Sequence, residues 1–173
     1  NTHKIIGIVR RLDFLANNAA LSLTIICVIS IFFRLYYFPY GIPLTLDATL
    51  YFWYAIDTNV LGHLPTDYLF PNTGWPMLLS VFFATFHSNN FIDYMTVQRL
   101  VSISISVFTI IPVYFLCKKF FNKHLSLIGA ILFAFEPHII QNSMLGITDS
   151  LYILLVTVSF TLMYSSNKNL VYL

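Results

Sequence analysis

Four runs of apolar residues, at 19–38, 96–117, 125–140 and 147–164, decide most of what this chain can become. At 1.5 Å per residue, a helical run of about 20 residues spans the roughly 30 Å hydrocarbon core of a bilayer. Backbone groups inside that core have no water to bond, so a spanning segment must satisfy them within itself, as a helix does. Apolar residues make up 58% of the chain against 9% charged, and the mean hydropathy is +0.77, which excludes an ordinary soluble domain. The expected fold is therefore all-α and integral to the membrane, with about four spans in a single module over residues 1–173.

The charges give such a module a direction. Lys4, Arg10, Arg11, Lys118, Lys119, Lys123 and Lys168 fall on one side of the four runs, and positive residues mark the cytoplasmic side. Asp47, Asp57, Asp67, Asp93, Glu136 and Asp149 fall at or near the other side, leaving Asp13 within. The N-terminus is thus expected in the cytoplasm, with residues 1–18 lying along the membrane surface. No basic run points to nucleic acid. Because the sequence begins at Asn1 and ends at Leu173 just after an apolar run, it is expected to be the first part of a longer protein.

Between the first two runs lies the one long stretch that a simple apolar helix cannot account for, residues 39–95. Its first part repeats Leu46, Leu50, Trp53, Ile56 and Val60 at three- and four-residue steps, with Asp47, Tyr51, Tyr54 and Thr58 on another face. That spacing predicts an interfacial helix over 47–61. A second apolar stretch, 75–87, is too short to cross and suits a helix on or dipping into the outer leaflet. Asp47 heads the first helix, as either its N-cap or a functional carboxylate.

The remaining polar groups near the apolar runs invite similar questions. Arg34 lies inside the first run close to its far end, where it either snorkels or meets an anion, such as a lipid phosphate or a loop carboxylate. Glu136, His138 and Asp149 flank the turn between the last two runs and are expected on the same side as Asp47. Glu136-Pro137 equally suits a helix end, and Thr148 or Asp149 a cap. Pro112 predicts a kink deep in the second span. Cys27 and Cys117 each sit within apolar sequence as small hydrophobes, and His63, His87 and His138 follow no metal-ligand spacing, so no metal site is expected.

Taken in order, FFRLYYFPYGIPLTLDATLYFWYA, GWPMLLSVFFATF, VQRLVSISISVFTIIPVYFLCKKFFNKHLSLIGAILFAFEP and LGITDSLYILL resemble the N-terminal half of the GT-C glycosyltransferases. The likeness is to the relatives of protein O-mannosyltransferases and of the lipid A aminoarabinose transferase, and it covers nearly all of the chain after Ile25. It implies a polyprenyl- or dolichyl-phosphate sugar as donor and an acceptor hydroxyl on a protein, glycan or lipid. Transfer would be an inverting displacement at the outer face, with no further cofactor. Asp47 matches the catalytic acid of that family, Arg99 an arginine facing the donor phosphate with Arg34 as a second candidate, and Asp149 an acid at the start of the fourth span. Tyr51, Glu136 and His138 would support the active face. Arg99 paired structurally with Asp93 or Asp149 is the other reading of that residue. Ala48 stands where the mannosyltransferases carry a second acid, which leaves the acceptor open. The resemblance implies the cell membrane of a prokaryote or archaeon rather than the endoplasmic reticulum. A non-catalytic subunit of a larger membrane complex is the alternative, and a small transporter or channel subunit is a third reading.

Overall fold

The computed structural model describes residues 18–66 and 74–166, and every element in them is a helix. In chain order these are α1 (Ala19–Tyr36), α2 (Asp47–Leu61), α3 (Gly74–Thr85), α4 (Phe91–Phe108), α5 (Ile110–Phe120), α6 (Lys123–Ala134), α7 (Pro137–Leu145) and α8 (Asp149–Ser166). Lys4, Arg10, Arg11, Asp13, Asp67 and Lys168 lie outside the described residues, as does nearly all of the surface segment expected at the N-terminus.

Among the described residues two helices are long and apolar enough to cross a membrane: α1, and the 30-residue helix Phe91–Phe120 formed by α4 and α5 together. The second begins earlier than its apolar run because Asn90 caps it, its side chain accepting the Ile92 amide, so that Asp93 joins the first turn. Its regular pattern breaks at Thr109, one turn before Pro112, where proline supplies no amide and crowds the carbonyl four residues back. Asp93 and Lys118 stand about 38 Å apart along this one helix axis, which puts the acidic and lysine-rich ends of the molecule at opposite ends of a potential span.

The run expected as a third span, 125–140, is not one straight helix. Glu136 accepts the Ile139 amide at 2.7 Å and Pro137 occupies the first turn of α7. These are helix-start signals, and they restart the chain at 48° to α6. α6 and α7 reach spanning length only when the bent pair is taken as one span, and α8 is a shorter apolar helix. The apolar helix α3 has 12 residues, about 18 Å of rise.

Two apolar clusters hold these elements. One, with Leu23, Ile26, Ile103, Val107, Ile110, Leu127 and Ala130, joins α1, α4, α5 and α6. Small residues let the backbones approach there, as membrane helix pairs require. A Cβ at Gly129 would come within 2.8 Å of the Cys117 sulfur, so any larger residue there would require the Cys117 side chain to move. The other cluster, with Leu44, Ala48, Phe52, Ala55, Trp75, Leu79 and Phe83, packs α2 on α3 and both against α4. In α2 the packed face carries Ala48, Phe52, Ala55 and Thr58, while Leu46, Leu50, Trp53 and Val60 of the predicted stripe are exposed. Ile56 is half-buried.

Candidate functional site

The loop between α1 and α2 is tied down by two adjacent residues of α4. Arg99 is 5% exposed, and its guanidinium donates to three main-chain carbonyls: Nε to Met144 at 3.1 Å, one terminal nitrogen to Ile42, and the other to Pro43 at 3.0 Å. Gln98 is fully buried and donates its amide to the carbonyls of Ala48 at 3.0 Å and Gly146 at 2.8 Å. Trp75 adds a third donor, its indole nitrogen reaching the same Gly146 carbonyl at 3.1 Å. Gly146 ends α7 in the left-handed region at φ 75°, and a Cβ there would lie 3.2 Å from Gln98. Four separate parts of the chain thus meet in one knot: the 42–48 loop, the start of α3, α4 and the end of α7.

Asp47 emerges from that knot. It is the first residue of α2, exposed, and its carboxylate forms no hydrogen bond to a described residue. The cap position belongs to Leu46 rather than Asp47, and no side chain caps this helix. Leu46 has φ 50° and ψ −129° with an 86% exposed side chain, a conformation costing about 1–3 kcal/mol that persists only where the surroundings over-determine it. The surroundings here are Arg99 gripping the carbonyls of Ile42 and Pro43 before it and Gln98 gripping that of Ala48 after it.

Other expected site residues divide by their distance from the knot. Asp149, in the first turn of α8, stands three residues after Gly146 and accepts from the Asn142 amide at 2.9 Å. Tyr51 is half-buried against the cluster of α2 and α3. Glu136 and His138 lie at the other end of α7, about 12–15 Å along its axis from Gly146. The stretch expected as a simple outer turn is itself a helix, begun by Glu136 and Pro137 and ended by Gly146, and it holds them apart. Glu136 is committed to capping α7, and His138 is exposed.

Arg34 does not snorkel, and it meets no anion among the described residues. It is 0% exposed, turned inward, and its partners are neutral. Its donors reach Ser143 Oγ at 3.2 Å, Ser106 Oγ at 3.3 Å, the Ala134 carbonyl at 3.1 Å, and both the carbonyl and the hydroxyl of Ser30. It joins α1, α4, α6 and α7 from within. Arg99 likewise pairs with carbonyls rather than with Asp93 or Asp149. Asp93 instead accepts from the Ser88 hydroxyl.

Gln98, Trp75 and Gly146 are the knot residues that spacing did not single out. A glutamine beside an arginine inside an apolar run is the signal that marks the first, since such groups are expensive in a membrane without partners. Among the described residues no three His, Cys, Asp or Glu side chains stand close enough to hold a metal ion. No family model, curated protein or solved structure matches the chain.

Proposed function

We propose that the chain is the donor- and acceptor-handling part of a membrane glycosyltransferase of GT-C type, with Asp47 as its general base. The observation that carries this is an exposed carboxylate without a partner among the described residues, preceded by a strained residue and gripped on both sides through Arg99 and Gln98. In the proposed reaction an acceptor hydroxyl attacks the anomeric carbon of a polyprenyl-phosphate sugar while Asp47 takes the hydroxyl proton. The bond from the anomeric carbon to the phosphate oxygen breaks, its electron pair leaves with the lipid phosphate, and configuration inverts. No covalent enzyme intermediate and no metal is needed.

Arg99 has five N–H groups, of which three are engaged by carbonyls. The other two and its charge are assigned to the donor phosphate, in the charge-assisted manner that suits a planar guanidinium. Asp149, near the same knot, completes the acidic face. Arg34, buried among hydroxyls, is assigned to packing. The proposed topology has four crossings, α1, α4–α5, α6–α7 and α8, with the lysines around Asn122 in the cytoplasm and Asp47 outside in a cell membrane. Single cysteines at Ser88 and Asn122 test it, since an impermeant thiol reagent applied to intact cells should label the first alone.

Asparagine at position 47 keeps the shape of the side chain but accepts no proton. Asp47→Asn should leave the folded chain intact and lower sugar transfer by the intact enzyme by roughly two to four orders of magnitude. Near-normal turnover with a polyprenyl-phosphate sugar would remove Asp47 from the chemistry. The second reading, a docking subunit, is favoured by the exposed Leu50, Trp53 and Val60 on α2. It predicts that Asp47→Asn is silent and that Trp53→Ser releases a partner protein.

A further inference from the structure

We propose that the groove between α1 and the α4–α5 helix is a binding site for an anionic glycerophospholipid, in the leaflet on which Lys118 opens. The site is separate from the Asp47 knot, at the other end of the molecule, and does not depend on the sugar-transfer reading.

The groove encloses about 540 Å³ and runs along the two helices that are long and apolar enough to cross a membrane. Its wall on one side includes Leu23, Val28 and Ile31, and on the other Val107, Ile111 and Phe115. From Ser104 to Lys118 the lining extends about 21 Å along the helix axis, a long, narrow shape suited to an acyl chain lying parallel to the helices. Its threonine and serine are turned to their own helices, Thr24 donating to the Ala20 carbonyl at 2.9 Å and Ser104 to that of Leu100 at 2.8 Å. The body of the groove therefore offers methyl and aromatic surface.

Polar groups appear only near its end. Tyr114 lines the groove, is 1% exposed, and its hydroxyl is buried without a hydrogen-bond partner among the described residues. A buried hydroxyl left unpaired is costly, so an acceptor supplied by the occupant would be favoured. Lys118 follows one turn later, about 6 Å along the axis, exposed and with no partner among the described residues. Lys119, its neighbour, is by contrast turned to α8, donating to Ser165 Oγ at 3.1 Å. An acceptor one turn inside an anion, continuing into a hydrocarbon chain, is the order of ester carbonyl, phosphate and acyl tail in a glycerophospholipid. Net negative charge on the headgroup matches Lys118.

Native mass spectrometry of the purified, delipidated chain, titrated with phosphatidylglycerol or phosphatidylcholine, tests this. Phosphatidylglycerol should bind about fivefold more tightly, the worth of one lysine near an anionic lipid, and Lys118→Gln should erase that preference. Tyr114→Phe should weaken both lipids by roughly three- to tenfold, without lowering the thermal stability of the lipid-free chain, because the hydroxyl it removes has no partner there. Val28→Trp, at an exposed position of the wall, should fill the groove and displace both lipids. Equal retention of the two lipids by the unaltered chain, or a preference that survives Lys118→Gln, overturns the assignment. So does binding unaffected by Val28→Trp, which would place the lipid elsewhere and leave the groove to another protein segment.

Discussion

Among the described residues two arginines are buried, and what surrounds them differs in kind. Arg34 is met mainly by side-chain hydroxyls and by the end of a helix, at the junction of α1, α4, α6 and α7. Arg99 is met only by main-chain carbonyls, two from the loop before α2 and one from the end of α7. A serine hydroxyl can turn and find another acceptor in its own helix, as Ser143 already does with the Ile140 carbonyl at 2.7 Å. A loop carbonyl has no such alternative. The first arginine therefore sits in a self-sufficient scaffold, whereas the second supports a segment that cannot hold its shape without it.

The sharpest way to break this comparison is Arg99→Met. The carbonyls of Ile42, Pro43 and Met144 would each lose a charged donor, a bond worth about 1.5–3 kcal/mol at most and less where water can replace it, so the chain should lose on the order of 3 kcal/mol or release the 42–48 loop to solvent. Thermal unfolding in detergent would report the first outcome, and rapid amide exchange at Asp47 and Ala48 the second. If the proposed chemistry is right, transfer falls in either case, because Asp47 loses its support. Arg99→Lys keeps the charge but cannot reach three divergent carbonyls from one ammonium, and it should fall between the two. Wild-type stability and exchange in Arg99→Met would show that the loop holds itself.

A smaller change sharpens the same point from the loop side. Leu46 occupies a backbone region natural to glycine. Relief of about 1–3 kcal/mol of strain, less the 0.5–1 kcal/mol that glycine loses in chain entropy, should leave Leu46→Gly stabilised by about 1 kcal/mol. In a chain that also carries Arg99→Met the gain should shrink, because a released loop has no strain to relieve. The two substitutions would then be non-additive, as coupled sites are. Full additivity would mean that Arg99 does not impose the conformation of Leu46.

These contrasts also explain what could be read from residue order. The helices over 47–61 and near 75–87 were legible because apolar spacing and short length are local properties. Arg34 and Arg99 were visible as charges in apolar runs, but their partners were not: the carbonyls of Ile42, Pro43 and Met144 belong to every residue type and leave no mark in a sequence. The same holds for the 125–140 run. Its hydropathy is continuous, and the break at Glu136-Pro137 required weighing a cap and a proline above an apolar pattern. Asp47 was legible as an acid after an apolar run, whereas the grip on either side of it comes from Gln98 and Arg99, about 50 residues further along the chain.

The smallest expected effect is the most discriminating, because it inverts the usual rule that conservative changes are mild. Replacing Arg34 by Met removes a charge from a fully buried site, and well-packed apolar replacements of buried charges are commonly neutral or stabilising. The partners left behind fare well. Ser143 keeps its bond to Ile140, and Ser30 keeps its own to the Ala134 carbonyl at 3.4 Å. Thermal stability of Arg34→Met should therefore stay within about 1 kcal/mol of the parent. Arg34→Lys should be worse. It retains the charge but concentrates it in a strongly hydrated ammonium that lacks the planar fork needed to reach Ser106, Ser143 and Ala134 together. A loss of about 1–3 kcal/mol is expected, the cost of a charge left imperfectly paired in the interior. If Met instead proves as damaging here as at position 99, the hydroxyl shell around Arg34 depends on its guanidinium after all. The two arginines would then be structural equivalents, and the distinction between a self-sufficient scaffold and a held loop would fail.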